Sequence, residues 1–519
     1  MIIITSAAYV SDEIGVEIGN IPPSFLPIGN KRFYELQFES LRSNFNEKIF
    51  LSIPVSYRLT NYDRERINYL GINLICVPEE LSLSESVLYV INSIGIYDDP
   101  VKILHGDTYL KDYPQDLDCI AISSSDDNYN WESEEYQLSN DVWCGFFAFS
   151  DIKLFIKFLT LNRINFVEAV RSYQLIINFT FFYAADWLDI GHVNTYFRSR
   201  SRFTTERSFN NLTISSNSVK KTGISRDKIL AEAAWFINLP TSLKTYVPQL
   251  ISYDKNLGNE YYEIEYLPLL PLNELFVNGL LDFNFWSRIN KLLSSLLHSF
   301  ESSINLDHSI IKSISDDFSI LVVDKTLKRI SEAHDFFDFD LNAELIINGV
   351  EVPSLNDIIS HCQEYVLKLP PLPSVIHGDL CFSNILFDSR LCALKIIDPR
   401  GLNASGERSI YGDLKYDIAK IVHSYIGLYD FIIAGRFKFL QINKLNMTID
   451  FDLDDSIISI QNKLLDSGKL LNIKFIDILP LVVLLFISMI PLHADNPIRQ
   501  KAFFANSLRV YLIWKGVKL

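Results

Sequence analysis

Val375-Ile-His-Gly-Asp-Leu-Cys-Phe-Ser-Asn-Ile-Leu-Phe-Asp388 decides how this chain is read, together with Lys395-Ile-Ile-Asp-Pro-Arg-Gly401 just after it. An apolar lead-in reaches a turn at His377-Gly378-Asp379. Asn384 then opens a short apolar run, Ile385-Leu-Phe387, that reads as a strand. After a polar turn, Leu394-Lys-Ile-Ile397 reads as its partner and delivers Asp398 at its end. A hairpin therefore presents Asp379, Asn384 and Asp398 near one mouth. That trio suits phosphoryl transfer: one carboxylate accepts a hydroxyl proton, while an amide oxygen and a second carboxylate hold the Mg²⁺ that bridges nucleotide phosphates.

The spacing resembles the catalytic loop and metal segment of the aminoglycoside phosphotransferase and choline kinase group, small-molecule kinases with a protein-kinase-like fold. Their pattern is H-G-D-x-x-x-x-N followed roughly fifteen residues on by I-D. The resemblance implies Asp379 as catalytic base, Asn384 and Asp398 as Mg²⁺ ligands, and His377 as a structural member of the loop. Gly412-Asp-Leu-Lys-Tyr-Asp-Ile-Ala-Lys420 is similar to the segment that follows, in which Asp417 braces the loop.

Earlier residues extend the likeness. Arg207 to Ile214 and Ser218-Val-Lys-Lys-Thr222 read as a hairpin around Ser215-Ser-Asn217, a turn without glycines whose polar side chains can donate to phosphate. Lys220 and Lys221 fall where the family places its ATP-phosphate lysine. Alternation points them to opposite faces, and Lys221 is the favoured candidate. Arg226 to Phe236 reads as a helix carrying Glu232, which resembles the glutamate that pairs with that lysine. Tyr261-Tyr-Glu-Ile-Glu-Tyr-Leu-Pro268 alternates and ends in proline. It resembles the strand and hinge whose backbone, Glu265 to Leu267, binds adenine.

Residues 1 to about 200 alternate strand-like and helix-like segments, the sign of an α/β domain. They resemble the sugar-nucleotidyltransferase superfamily in three places. Leu26-Pro-Ile-Gly-Asn-Lys-Arg-Phe-Tyr-Glu-Leu-Gln37 is similar to its L-P-x-x-x-K-P segment, with Arg32 in place of the second proline. Gly106-Asp107 matches its G-D, and Asp186-Trp-Leu-Asp-Ile-Gly191 its W-x-D-x-G. The resemblance implies Asp107 and Asp189 as Mg²⁺ ligands. The family's glycine-rich triphosphate loop is missing: Ser6-Ala-Ala-Tyr-Val-Ser-Asp-Glu-Ile-Gly15 stands there, with two added carboxylates, Asp12 and Glu13. Carboxylates repel phosphate, and glycines are what let a backbone approach it closely.

The expected architecture is an α/β, Rossmann-like nucleotidyltransferase-like domain over 1–200 followed by an α+β, bilobal kinase-like domain. Its N-lobe covers 205–270, and a helical C-lobe covers 271–519. The expected activity is ATP- and Mg²⁺-dependent phosphorylation of a hydroxyl on a sugar, polyol or amino alcohol. The first domain would couple the product to a second NTP, CTP or UTP; the competing reading is a decayed nucleotide- or sugar-binding scaffold. The resemblance as a whole implies bacterial capsule or surface-polysaccharide biosynthesis.

The rest of the composition sets bounds. With 48% apolar and 21% charged residues the chain is globular, and its net charge of -16 argues against a nucleic-acid partner. Six scattered cysteines without C-x-x-C spacing fit a reducing cytoplasm. Met1-Ile-Ile-Ile-Thr-Ser lacks a basic n-region and reads as a buried first strand. Ile478 to Leu492 is strongly apolar, but it is short for a span and contains Pro480 and Pro491, so it reads as a buried helix. After Asp417 the chain reads as helical, with Ile449 to Leu453 as a short insertion. A homo-oligomer stays open.

Overall fold

The computed structural model describes all residues except 128, 130, 131, 133–139, 204–209, 216, 224, 257, 259, 304–306, 518 and 519. The start of the expected hairpin (207–209) and Ser216 in its turn lie outside the described residues. The chain divides into two compact units. One comprises Met1–Phe203 with Asn278–Leu280, the other Thr204–Val277 with Leu281–Leu519.

The first unit is built on seven strands: β1 (Ile2–Thr5), β2 (Ile49–Pro54), β3 (Asn73–Val77), β4 (Val101–His105), β5 (Cys119–Ser124), β6 (Asp141–Phe149) and β7 (Thr180–Tyr183). They lie in the order β7-β5-β6-β4-β1-β2-β3. β1 pairs parallel with both β2 and β4, and β6 alone runs antiparallel, against β4 and β5. Ile2–Ile4 and Ile49–Ile53 are buried without alternation, as a strand covered on both faces requires. Helices supply that cover. Leu83–Ile94 starts from a capping box in which Ser82 accepts from the Glu85 N–H and Glu85 accepts from the Ser82 N–H. Ile152–Leu161 starts from Asp151, whose carboxylate accepts from the Leu154 N–H. Phe149, Phe155, Phe166 and Tyr173 close the core between helices and sheet. This is the parallel-rich α/β architecture expected from the alternating pattern.

The second unit is α+β. Its first sheet contains β8 (Asn210–Ile214), β9 (Ser218–Gly223), β10 (Leu250–Asp254) and β11 (Tyr261–Glu265), ordered β8-β9-β11-β10 and antiparallel throughout. The helix Arg226–Asn238 packs on β9, β10 and β11. A helical part follows, into which the hairpin Ile385–Asp388/Ala393–Ile396 is set, with Ile385 opposite Ile396. The helix Leu355–Lys368 starts at Ser354, whose hydroxyl accepts from the Asp357 N–H.

The apolar run becomes the helix Phe475–Met489. With its following turn, Phe475–His493 is long and apolar enough to cross a membrane by length and composition, yet 72% of that window is buried inside the unit. It packs against the helices Leu355–Lys368, Leu414–Tyr425 and Pro497–Trp514.

The expectation that everything after Asp417 is helical needs correction. Lys438–Asn443 and Asn446–Asp450 form a hairpin, and Ile449 lies in its second strand. That strand runs parallel to Leu345–Ile347, which pairs with Val350–Val352 through the left-handed turn Asn348-Gly349. The hairpin was missed because its turn carries no glycine or proline. Its first strand also shows no buried face: Leu440 and Ile442 are both exposed.

Candidate functional site

The site in the second unit is assembled from its framework outward. Lys221 lies on β9 opposite Leu212 and Tyr262, and strand alternation turns it into the unit. Its neighbour Lys220 points the other way and sets its ammonium 3.8 Å from the centre of the Tyr261 ring. The Lys221 ammonium is buried, lies 2.6 Å from Glu232 Oε2, and also pairs with Asp398 Oδ1. Glu232 in turn accepts from the Tyr262 hydroxyl at 2.9 Å. Burial alone would lower the Lys221 pKa, but Asp398 and Glu232 outweigh it and hold the lysine above its ordinary value. Burial, and then Asp398, raise Glu232. One buried ammonium thus ties the first sheet and its helix to the end of the hairpin.

Asp398 itself has φ 62°, a left-handed backbone uncommon for a non-glycine residue. Two contacts hold that turn. The Ile397 N–H donates to the Asn384 carbonyl at 3.0 Å, and the Arg400 N–H donates to the His377 carbonyl at 2.9 Å. His377 is buried, and burial lowers its pKa, so it stands neutral. Its Nε2 faces the Ile397 carbonyl at 2.9 Å, while the Asp379 N–H points to its Nδ1 at 3.3 Å. Those partners require the Nε2–H tautomer. His377 is therefore a rivet between the loop carrying Asp379 and the segment carrying Asp398.

Asp417 is fully buried, and its two oxygens accept from the backbone N–H groups of His377 and Gly378 at 2.7 and 2.8 Å. Burial pushes its carboxyl up to about 7 against the pull of those donors. Gly378 has φ 81°, and a Cβ there would stand 2.8 Å from the Arg400 Cβ, so this turn needs glycine. Asn384 is buried. Its Nδ2 donates to the Asp379 carbonyl at 2.8 Å and approaches Asp379 Oδ2 at 3.3 Å, which leaves its amide oxygen as the hard donor on that side. With Asp398 this makes an amide and carboxylate oxygen set of the kind Mg²⁺ takes. Asp379 pairs with Lys420 at 2.9 Å.

The residues expected to form a hinge make backbone contacts of their own. Glu265 is exposed, and its N–H donates to the Gln249 carbonyl at 2.9 Å. The Tyr266 N–H donates to Asn217, and the Leu267 carbonyl accepts from the Leu269 N–H at 2.8 Å. In the turn before β9, the Ser215 hydroxyl accepts from the N–H groups of Asn217 and Ser218.

Sequence reasoning missed the cationic side chains around Asp379: Lys420, Lys325, Arg329 and Arg400. Lys420 could have been found, since it lies three residues beyond Asp417 on one helix. Lys325 and Arg329 lie on the helix Asp324–Glu332, where nothing local distinguishes them from solvated residues.

In the first unit, Asp107 and Asp189 come together across the two-residue ribbon Thr108–Tyr109/Leu188–Asp189, in which Asp189 faces Thr108. The Ile190 N–H donates to the Asp107 carbonyl at 2.9 Å. Burial, and then the Asp189 charge, push Asp107 up to about 6. Asp189 is buried and bonded to Thr195 Oγ1 and, at 3.0 Å, to His192 Nδ1. The glycines of both motifs have local reasons. A Cβ at Gly191 would come within 2.5 Å of the Asp107 carboxylate, and one at Gly106 within 2.6 Å of the Thr5 carbonyl. Gln37 holds the turn between them, donating to the carbonyls of His105 and Thr108 at 3.1 and 2.9 Å. Two carboxylates suit one Mg²⁺ beside phosphates. No cluster of three or more His, Cys, Asp or Glu side chains that could hold a metal occurs among the described residues.

Ser11 is followed by the helix Asp12–Ile18, whose first turn carries Asp12 and Glu13. The positive end of the helix thus faces its own carboxylates. Arg32 is buried. It donates to the Phe25 carbonyl at 2.9 Å and pairs with Asp63 at 3.4 Å, a structural role.

No protein-family model matches the chain, and no curated protein does either. Solved structures do. A nucleoside-diphosphate-sugar pyrophosphorylase from Vibrio cholerae covers 38% of this chain and 99% of its own, at 13% identity and a TM-score of 0.33. An inositol-1-phosphate CTP transferase from T. maritima covers 39% and 94%, at 15% identity and a TM-score of 0.29. A choline/ethanolamine kinase family protein from Mesorhizobium loti covers 59% and 86%, at 11% identity and a TM-score of 0.33. These are likenesses at 11–15% identity to solved structures of a nucleotide-sugar pyrophosphorylase, a CTP transferase and a choline/ethanolamine kinase family protein.

Proposed function

We propose that the second unit is an ATP-dependent kinase that phosphorylates a hydroxyl of a small molecule, a sugar, polyol or amino alcohol. The observation that carries this reading is the buried Lys221 ammonium held between Glu232 and Asp398. A lone decorative hairpin has no reason to place a desolvated lysine against two carboxylates from distant parts of the chain, since such a cluster is costly unless it is used.

In this reading Lys221, oriented by Glu232, meets the nucleotide phosphates, and the backbone from Glu265 to Leu267 lies beside adenine. Asn384 and Asp398 would hold Mg²⁺, which supplies charge neutralisation at the phosphates. The acceptor hydroxyl oxygen attacks the γ-phosphorus as its proton passes to Asp379. The bond from phosphorus to the β,γ-bridging oxygen breaks, and ADP leaves with that electron pair. Lys420 keeps Asp379 aimed at the hydroxyl, and His377 and Asp417 keep the loop in shape. Free ATP and six unpaired cysteines suit a cytoplasmic setting.

For the first unit we favour a nucleotidyltransferase fold that no longer transfers. Asp12 and Glu13 at the start of the helix Asp12–Ile18 are the specific observation, because a triphosphate would meet carboxylates where the family offers backbone N–H groups. Calorimetry of Mg²⁺-ATP binding tests the kinase reading. Asp398→Asn should weaken affinity at least about tenfold, the loss of one charge-assisted contact. Unchanged affinity contradicts the metal role.

A further inference from the structure

Beside Asp379 opens a cavity of about 210 Å³ within the second unit. Its lining includes Asp379, Ser383 and Tyr416 but not Lys221, Asn384 or Asp398, so it is the side of the base away from the nucleotide groups. One wall is apolar, formed by Leu481, Leu484 and Leu485 of the buried helix. Another part of the lining is cationic. Lys325, Arg329 and Lys420 line it, against the single carboxylate of Asp379.

That imbalance sits in a chain whose net charge is -16, so it is not a reflection of composition. Lys325 and Arg329 are four residues apart and share one helix face, an arrangement that is locally unfavourable for like charges. Arg329 reaches Glu332 at 2.6 Å and Lys420 reaches Asp379 at 2.9 Å. Lys325 has no ion-pair partner among the described residues. Burial, followed by Arg400, Arg329 and Lys420, brings its ammonium down to about 7, with Asp379 opposing. Positive charge has been gathered here, and Lys325 is its member with no ion-pair partner among the described residues.

We propose that this cavity takes an acceptor bearing, besides its hydroxyl, an anionic group, a phosphate or a carboxylate, held by Lys325 and Arg329. The inference rests on the kinase reading for what Asp379 does, but the anion site stands on the cavity itself. A cationic acceptor such as an amino alcohol would meet three like charges here. Arg329 is the second holder because it lies one turn from Lys325 on the same face. Among the acceptors of the kinase reading, the charge selects phosphorylated or acidic ones.

The test uses the full chain with its nucleotide site filled by Mg²⁺ and a non-hydrolysable ATP analogue. Binding of inorganic phosphate is titrated in wild type, Lys325→Met and Lys325→Arg. ADP release with Mg²⁺-ATP is then compared among glucose, glucuronate and glucose 6-phosphate, and among glycerol, glycerate and glycerol 3-phosphate, with choline and ethanolamine beside them. Phosphate should bind to wild type, lose about tenfold or more in Lys325→Met, and recover in Lys325→Arg, with Mg²⁺-ATP affinity unchanged. Within each set the anionic member should be preferred, and the carboxylate and phosphate members tell which anion is meant. Absent phosphate binding, equal binding in Lys325→Met, or preference for choline or ethanolamine overturns the proposal. So does a Lys325→Met effect on ATP affinity alone, which would assign the cluster to the nucleotide. Failure of the kinase reading shows separately, as no binding of Mg²⁺-ATP.

Discussion

Lys420 Nζ lies 2.9 Å from Asp379 Oδ1 in the second unit, the lysine largely buried and the carboxylate partly exposed. Burial would lower that lysine, but Asp379 outweighs it and holds the charge in place. In the proposed kinase reading Lys420 is therefore a positioning residue for Asp379. Lys420→Met should reduce kcat by at least about tenfold, with a smaller change in KM for ATP. Removing a neighbouring cation also disfavours the carboxylate, so the acidic limb of the pH–rate profile should move to higher pH. A lower kcat with an unmoved limb would mean that Lys420 acts only through packing.

Glu232→Gln leaves the Lys221 ammonium with Asp398 alone and halves its compensation. Breaking a buried pair in this way costs about 3 kcal/mol. The expected result is a lower unfolding midpoint and weaker Mg²⁺-ATP binding. A variant with unchanged nucleotide affinity would show that this glutamate serves stability only.

Asp417 gives a pH signature. Its carboxyl stands at about 7 in the folded unit against an ordinary 3.8. Between those values the folded state binds more protons than the unfolded one, so stability falls as pH rises from about 4 to about 7, at most about 1.4 kcal/mol per pH unit from this group. Asp417→Asn should flatten that fall, though Asp430, also raised to about 7, preserves part of it. Amide hydrogen exchange at His377 and Gly378 is the readout, since their N–H groups are Asp417's partners. An equally steep pH dependence in the variant would place the titration elsewhere.

Much of the arrangement was legible because the expected residue types fall at short spacings in the sequence. Asp379 and Asn384 lie just before the hairpin Ile385–Asp388/Ala393–Ile396 and Asp398 just after it, and the turn at Gly378 has no room for a Cβ. The choice between Lys220 and Lys221 was harder, since alternation tells which two faces exist but not which is inside. Long-range packing of β9 against the helix Arg226–Asn238 decides it. Lys325 and Arg329 were invisible for the same reason: only the fold brings their helix beside Asp379. In the first unit, the departure from the glycine-rich loop was readable. The bracing of the Gly106 turn by Gln37 was not.

Asp107→Asn examines that unit. Asp107 is raised to about 6 by burial and by Asp189, so its ionisation opposes folding above that pH. At pH 8 the variant should be about 1–3 kcal/mol more stable than wild type, and it should lose any Mg²⁺-dependent gain in Tm. Reduced stability at pH 8 would contradict the like-charge account of this pair.

The most direct measurement of the central claim is acceptor-dependent ADP release from Mg²⁺-ATP by wild type and Asp379→Ala. The assay would use the panel of neutral, anionic and cationic acceptors named above, with pyrophosphate followed in parallel when CTP, UTP, GTP or dTTP is added. The account predicts ADP release with at least one acceptor, its loss in a folded Asp379→Ala, and no pyrophosphate. Turnover that persists in Asp379→Ala, or ATP binding without turnover across the panel, would contradict it.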